Sequence, residues 1–103
     1  MLNNVVMVGR LVSAPEIIET EDNRKVTTIT LAVNRNFKNV DGIYETDFIP
    51  CILWNAVASS TTEYCKKGDV IGVKGRLQTR DNKIEVVAER VTFLSSKKTN
   101  EDE

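Results

Sequence analysis

The segment from Thr46 to Trp54 combines apolar alternation with two aromatic side chains that could bind a flat ligand. In a strand, alternation would place two apolar sets on opposite faces: Ile49, Cys51 and Leu53 against Phe48, Pro50, Ile52 and Trp54. A half-buried antiparallel strand does not require two apolar faces. The alternation supports two interpretations equally. Either the strand is central and buried on both sides, or Phe48 and Trp54 form an outward platform on which nucleic-acid bases stack.

A later segment carries long polar side chains at every second position. The polar set is Lys74, Arg76, Gln78 and Arg80, and the opposite set is Ile71, Val73, Gly75 and Leu77. Three cations in such a row suit a groove that follows a phosphate backbone. A solvated outer face is the plainer explanation and would be preferred for a charge run alone. The phosphate groove is favoured because the same sheet is predicted to present aromatic side chains outward.

Further cations lie at strand ends and on a long loop, at Arg10, Arg35 and Lys38. Phe37 lies between the last two of these. An aromatic side chain between two cations on an exposed loop is poorly explained by packing in the core. We therefore interpret Phe37 as a nucleic-acid-binding residue. The candidate nucleic-acid-binding residues are therefore Phe37, Phe48, Trp54, Arg10, Arg35, Lys38, Lys74, Arg76 and Arg80.

Composition excludes several classes of function. The 103 residues hold 14 Lys and Arg against 15 Asp and Glu, so any affinity for nucleic acid must come from local charge. The chain contains no histidine, which removes most zinc sites and histidine-based catalysis. Carboxylates such as Glu45 and Asp47 have no metal-ligand cluster or phosphate-binding glycine loop to work with, so we predict no enzyme, metal or cofactor. Two cysteines, Cys51 and Cys65, are too few for a disulfide framework and indicate buried thiols of a cytosolic protein.

The secondary structure that positions these residues can be predicted from segments in which apolar and polar residues alternate, separated by turn-forming residues. These segments predict five strands, over residues 5–11, 25–34, 46–54, 70–77 and 84–94. Asn55 is predicted to cap a short helix over residues 56–65, with Gly68 in the left-handed position that ends it. Three strands, one helix and two strands form the element order of the OB-fold, a five-stranded Greek-key barrel in the all-β class with one short α-helix between strands 3 and 4.

Two connections and the chain end complete the prediction. Asp41-Gly42 predicts a hairpin extension between strands 2 and 3, and Asp81-Asn82 predicts a tight turn between strands 4 and 5. One OB-fold domain is expected over residues 1–94. Residues 95–103 read SSKKTNEDE, contain no apolar residue and are expected to form a short disordered acidic tail. No apolar run reaches the roughly 20 residues that a membrane-spanning helix needs, and the start lacks the features of a signal peptide.

Several motifs, in order, resemble the bacterial single-stranded DNA-binding protein family. They are MLNNVVMVGRL at residues 1–11, TLAVNR at 30–35, DFIPCILW at 47–54, KKG at 66–68, GRLQTR at 75–80 and EVVAE at 85–89. The resemblance covers nearly the whole chain, residues 1–94. It implies a homotetramer of OB-folds around which single-stranded DNA wraps, in the cytoplasm and associated with the nucleoid. The stacking aromatics of the family fall on Phe37, Phe48 and Trp54.

The sequence departs from this family at three places. The long hairpin between strands 4 and 5, which carries a further aromatic in many members, is reduced to Asp81-Asn82. Pro50 replaces a polar or basic residue. The family usually recruits replication and repair proteins through an acidic tip with an apolar pair, whereas this sequence ends at Glu101-Asp102-Glu103 without that pair. Truncation and a naturally tailless member are both open explanations.

The sequence favours a protein that coats and protects single strands during DNA replication, recombination and repair. A dimeric primosome accessory protein of the same fold, which binds single strands during helicase loading, is the nearest alternative. The motifs at residues 31–35 and 47–48 favour the tetrameric type. An OB-fold that only scaffolds proteins or binds an oligosaccharide is the alternative from another class.

Overall fold

The computed structural model describes residues 1–95, and these form strands with one helix. The elements are β1 Val5–Leu11, β2 Ile18–Glu19, β3 Lys25–Lys38, β4 Tyr44–Trp54, α1 Asn55–Tyr64, β5 Val70–Arg80 and β6 Lys83–Ser95. All five predicted strands and the helix between the third and fourth of them are confirmed. The two-residue β2 was missed. Of the predicted tail, Ser95 belongs to β6 and residues 96–103 lie outside the described residues.

Five strands close into a barrel, because β1 pairs with β5 on one side and with β3 on the other. The ring continues from β5 to β6, from β6 to β4 and from β4 to β3. Every pairing in it is antiparallel except that of β4 with β6. The protein is thus an OB-fold with its helix between the third and fourth barrel strands, β4 and β5, as the element order predicted.

Strand register decides which side chains point into the barrel. Opposite residues on paired strands share a face, and Ile29 lies opposite Cys51 while Leu31 lies opposite Ile49. These side chains pack inward together with residues of the other barrel strands and of α1. The buried cluster consists of Leu11, Ile29, Leu31, Cys51, Leu53, Ala58, Cys65, Ile71, Val73, Val86 and Ala88. The inward set predicted for the central strand, Ile49, Cys51 and Leu53, is confirmed.

The start and end of the helix differ from the prediction. Asn55 has a positive φ of 51° and belongs to α1, whose N-cap is Trp54 without a side-chain hydrogen bond. The Asn55 Oδ1 instead accepts a hydrogen bond from the Lys25 amide at 3.3 Å, which ties the helix start to β3. The helix ends at Tyr64 with Cys65 as its C-cap, so Gly68 does not terminate it. Gly68, with φ of 92°, lies in the following turn and donates its N–H to the Leu11 carbonyl.

Both predicted hairpin connections are confirmed. Asp81 and Asn82 have φ values of 54° and 65°, the left-handed pair that a type I′ turn requires, and they join β5 to β6. The β3–β4 hairpin extends beyond a bulge after Asn34 as far as the pair Lys38–Tyr44. Its tip is organised by Asn39, whose Oδ1 accepts hydrogen bonds from the amides of Asp41 and Ile43.

The two thiols lie in the barrel interior and make no disulfide. Burial raises the pKa of Cys51 to about 12. Burial, reinforced by the charge of Asp69, raises the pKa of Cys65 to about 11. Since only the thiolate is an efficient nucleophile, both effects suppress reactivity around neutral pH.

We expect an alkylating reagent at mildly alkaline pH to leave the native protein unmodified while both thiols react in denaturant. As pH is raised further, Cys65 should react before Cys51, because its pKa is lower and its side chain is slightly exposed. Intact-mass spectrometry after timed alkylation, followed by peptide mapping, measures this order. Rapid labelling of Cys51 in the native protein would contradict its place in the core.

Candidate nucleic-acid interface

The outer wall around β4 carries the aromatic residues singled out in the sequence. In the register of β3 and β4, Phe48 lies opposite Ala32, Pro50 opposite Thr30, and Trp54 opposite Val26. Ile52 lies opposite Val87 of β6, which in turn lies opposite Arg76 of β5. We call these outward residues the platform face: Val26, Thr28, Thr30, Ala32, Phe48, Pro50, Ile52, Trp54, Arg76 and Val87.

Each of the two interpretations of the central strand describes part of β4. Ile52 is 1% exposed, so the middle of the strand is buried on its outer side as well. Phe48 is 63% exposed, so the start of the strand presents its aromatic ring to solvent. Trp54 is half-buried. Phe48 and Trp54 are six residues apart, about 20 Å along an extended strand, so each would contact a different nucleotide.

Phe37 lies on the β3–β4 hairpin, in the irregular stretch between Asn34 and Lys38, and is 61% exposed. Two neighbours on the same hairpin, Lys38 and Tyr44, form a cation–π pair, with the Lys38 Nζ 5.7 Å from the ring centroid of Tyr44. The hairpin thus carries one free aromatic ring and one cation held against a second ring. This is the combination of stacking surface and positive charge that single strands require.

Two of the predicted cations are brought to the platform face. Arg10 lies opposite Ala32, which itself lies opposite Phe48, so the three form a row across β1, β3 and β4. The Arg10 Nη1 donates to the Gly68 carbonyl at 2.6 Å, a contact that fixes the guanidinium without neutralising it. Arg76 is exposed, and within residues 1–95 it takes part in none of the salt bridges.

Lys74 occupies a different part of the outer surface. It is exposed and lies opposite Val6 of β1 and Arg90 of β6. The register of β5 against β6 shifts between Lys74 and Gly75, where β6 carries one extra residue, Glu89. Alternation along β5 continues through this point, with Val73 and Gly75 buried and Lys74 and Arg76 exposed. Arg76 belongs to the platform face because its register partner is Val87, whereas the register partners of Lys74 are not platform residues.

The two remaining predicted arginines are engaged with carboxylates. The Arg35 Nε and Nη2 each donate to Asp47 at 3.0 Å, and its Nη1 donates to Glu45 at 2.6 Å. The hydrogen bond from Arg35 lowers the pKa of Asp47, and the two carboxylates raise the pKa of Arg35. Arg80 forms a 3.2 Å salt bridge with the nearly buried Glu85. Their role as phosphate contacts stays a prediction, because a phosphate would have to compete with these internal partners.

Arg24 is a residue of this surface that sequence reasoning missed. Its guanidinium carbon lies 4.7 Å from the centroid of the Trp54 ring. Arg24 reaches that ring because Val26, two residues further along, is the register partner of Trp54. Only the register of β3 against β4 reveals this contact, since 30 residues separate the two in the chain.

A second exposed aromatic pair lies away from the platform face. Tyr64, at the end of α1, and Phe93 of β6 have ring centroids 5.8 Å apart. Tyr64 thus has a packing partner at the helix end. No group of three or more metal-ligating side chains is found among residues 1–95. No helix in that range is long and apolar enough to cross a membrane.

The fold belongs to a class of small β-barrels whose walls and loops bind oligonucleotides or oligosaccharides. Comparison with known proteins narrows this class: the chain belongs to the single-strand binding protein family, whose model matches residues 2–95. The resemblance stated from the sequence motifs is confirmed.

Three relatives illustrate the extent of the similarity. The chain is 45% identical to single-stranded DNA-binding protein 1 of Lactococcus lactis, over 96% of this chain and 72% of that protein. It is 48% identical to single-stranded DNA-binding protein 3 of Listeria innocua, over 94% of this chain and 66% of that protein. It is 42% identical to single-stranded DNA-binding protein B of Bacillus subtilis, over 94% of both chains.

Proposed function

We propose that this protein binds single-stranded DNA with little sequence preference and protects it during replication, recombination and repair, without catalysing a reaction. The observation that carries the proposal is the 63% exposed Phe48 on an outer barrel wall, in one register row with Arg10. A large exposed aromatic ring contributes nothing to the core. Every base offers a π face to such a ring, so stacking is independent of sequence.

The distribution of charge supports backbone contacts rather than base reading. Lys38, Lys74 and Arg76 are in none of the salt bridges within residues 1–95. Cations that are free to bind phosphates produce affinity that falls as salt rises. The net charge of −1 also fits a site whose positive charge is local. A location in the cytoplasm, at the nucleoid, follows from the proposed ligand.

A titration of labelled oligo(dT), followed by anisotropy and by the fluorescence of Trp54, tests the proposal. Trp54 is the sole tryptophan, so its quenching reports on the platform face alone. We expect saturable binding that weakens with salt, and similar affinity for other unstructured sequences. Absence of binding to every oligonucleotide at low salt, or equal binding to a neutral oligosaccharide, would overturn the proposed function.

We further propose a homotetramer. Besides the family resemblance, exposed apolar side chains on the outer face of β1, Val6 and Val8, and nearby Leu2 support association, because a lone barrel leaves them in water. Light scattering on the full chain measures the mass directly. A mass of two subunits would favour the dimeric accessory type, and a mass of one would contradict association.

For Arg76→Ala we expect lower affinity for all sequences and a shallower dependence of log K on log salt. One lost phosphate contact reduces the slope for single strands by about 0.7. Arg76→Lys is the matched control, because it keeps the charge and should keep most of the slope. A change in base preference with an unchanged slope would mean that Arg76 reads bases instead.

A further inference from the structure

Arg24 covers the one candidate stacking ring that is not open to solvent. Phe37 and Phe48 expose 61% and 63% of their surface, whereas Trp54 is half-buried. The Arg24 guanidinium lies over the indole at 4.7 Å, within the distance of a cation–π contact. A base that is to stack on this face of Trp54 must take the place of the guanidinium.

Asp22 holds the guanidinium in that position. The Arg24 Nε lies 2.9 Å from the Asp22 Oδ2. A hydrogen bond from the Thr20 hydroxyl to the other carboxylate oxygen is the main cause of a lowered pKa for Asp22, and the charge of Arg24 acts in the same direction. The carboxylate is therefore ionised near neutral pH and remains a partner for Arg24.

The backbone that carries Arg24 is anchored at both ends. The Thr20 amide donates to the Arg24 carbonyl at 2.8 Å, and the Arg24 amide donates to the Thr20 hydroxyl at 3.1 Å. Asn23 closes the turn with a left-handed φ of 63°. The next residue, Lys25, donates its amide to Asn55 at the start of α1. These hydrogen bonds support the turn, so the guanidinium can leave Trp54 by a change of side-chain rotamer without breaking them.

The ion pair between Arg24 and Asp22 is weak enough for another anion to replace Asp22. The side chains of Arg24 and Asp22 are 55% and 61% exposed, so water and salt screen their ion pair. The pair joins the Nε of Arg24 to the Oδ2 of Asp22 at 2.9 Å. Arginine has five N–H donors in a planar fork that matches a phosphate, so its Nη groups provide donors for one.

We propose that Arg24 is a further phosphate-binding residue of the site, and that Asp22 holds its guanidinium over Trp54 when no DNA is bound. When a base stacks at Trp54, the guanidinium leaves the ring and exchanges the Asp22 carboxylate for a phosphate of the bound strand. The Asp22 carboxylate then competes with a DNA phosphate for the Arg24 guanidinium. In the free protein the guanidinium covers Trp54, and binding of a strand displaces it. This inference rests on the proposed single-strand binding and names a residue that regulates access to it.

The test combines four single variants with one double variant, all titrated with labelled oligo(dT) across a salt series. Arg24→Ala should reduce the salt slope by about 0.7, the value for one phosphate contact with a single strand. Arg24→Lys should retain the slope, because it retains the charge. Asp22→Asn should tighten binding up to about fivefold at low salt, the range that the loss of an exposed ion pair allows.

Glu21→Gln is the matched control for the removal of one negative charge, since Glu21 is exposed in the same turn and forms no salt bridge within residues 1–95. Its effect measures the general consequence of a charge change. The increase in affinity caused by Asp22→Asn should exceed the increase caused by Glu21→Gln. In the presence of Arg24→Ala, the two substitutions should increase affinity equally. Such non-additivity shows that Asp22 acts through Arg24.

The possible outcomes separate the inference from the function on which it rests. Failure of the unmodified protein to bind oligo(dT) would overturn the proposed function. Normal binding by the unmodified protein, with an unchanged slope for Arg24→Ala and equal effects of Asp22→Asn and Glu21→Gln, would overturn only the role of Arg24. Tighter binding by Arg24→Ala at every salt concentration would show that Arg24 blocks the ring without binding phosphate, which also contradicts the exchange.

Discussion

Phe48→Ala is expected to weaken binding of single-stranded DNA by about 1–3 kcal/mol, roughly 5- to 150-fold in affinity, while leaving the barrel folded. That range is established for base–aromatic stacking in single-strand-binding proteins of this kind. The fold should survive because the ring is 63% exposed and its register neighbour is the small Ala32. Titration with labelled oligo(dT) measures the affinity, and thermal unfolding monitors the fold.

Phe93→Ala is the matched control for Phe48→Ala. Phe93 is also a partly exposed aromatic residue of a barrel strand, but its ring contacts Tyr64 and lies apart from the platform face. Its removal should leave affinity unchanged. If both variants lost affinity equally, the loss would reflect a general property of the protein. If Phe48→Ala bound DNA normally, the platform face would not be the site of stacking.

The sequence predicted the barrel and its outward aromatics because both depend on local alternation. A strand has a period of two, so once Ile49, Cys51 and Leu53 are assigned to the core, Phe48 and Trp54 must point outward. The turn at Asp81-Asn82 could also be predicted from the sequence, because few residue pairs adopt two successive left-handed conformations. The predicted strands ended too early, at residue 34 instead of Lys38 in β3, because four of the last five residues of β3, NRNFK, are polar and show no apolar alternation.

The contacts that modify the site could not be predicted, because they join residues that are distant in the chain. Arg35 meets Asp47 across the β3–β4 register, and Arg24 meets Trp54 in the same way. The sequence shows that several Lys and Arg residues lie on one face, but it does not show which of them form ion pairs with carboxylates. Asn55 was assigned as a cap from residue type alone, whereas its side chain bonds the Lys25 amide. The residue types of the site were thus visible in the sequence, and their free or paired state was not.

Gly75→Ala is expected to destabilise the protein by more than about 3 kcal/mol, enough to remove much of the marginal stability of a small domain. Gly75 is buried in β5 at the register shift against β6. A methyl group there would overlap the backbone oxygen of Val87 and lie 2.9 Å from its carbonyl carbon and 3.1 Å from the Ala88 Cα. Because these are backbone atoms of a paired strand, no change of rotamer can relieve the overlap, and the β5–β6 pairing must shift.

Gly72→Ala provides a control on the same strand. The nearest atoms to an added methyl group at Gly72 are 3.7–3.8 Å away, which is ordinary contact distance. Since glycine in a strand costs roughly 0.5–1 kcal/mol relative to alanine, Gly72→Ala should be neutral or slightly stabilising. Urea unfolding of the two variants and the parent protein measures the difference. Equal stability of the two variants would mean that the close approach of β5 and β6 at Gly75 is absent in solution, and with it the register that brings Arg76 beside the platform face.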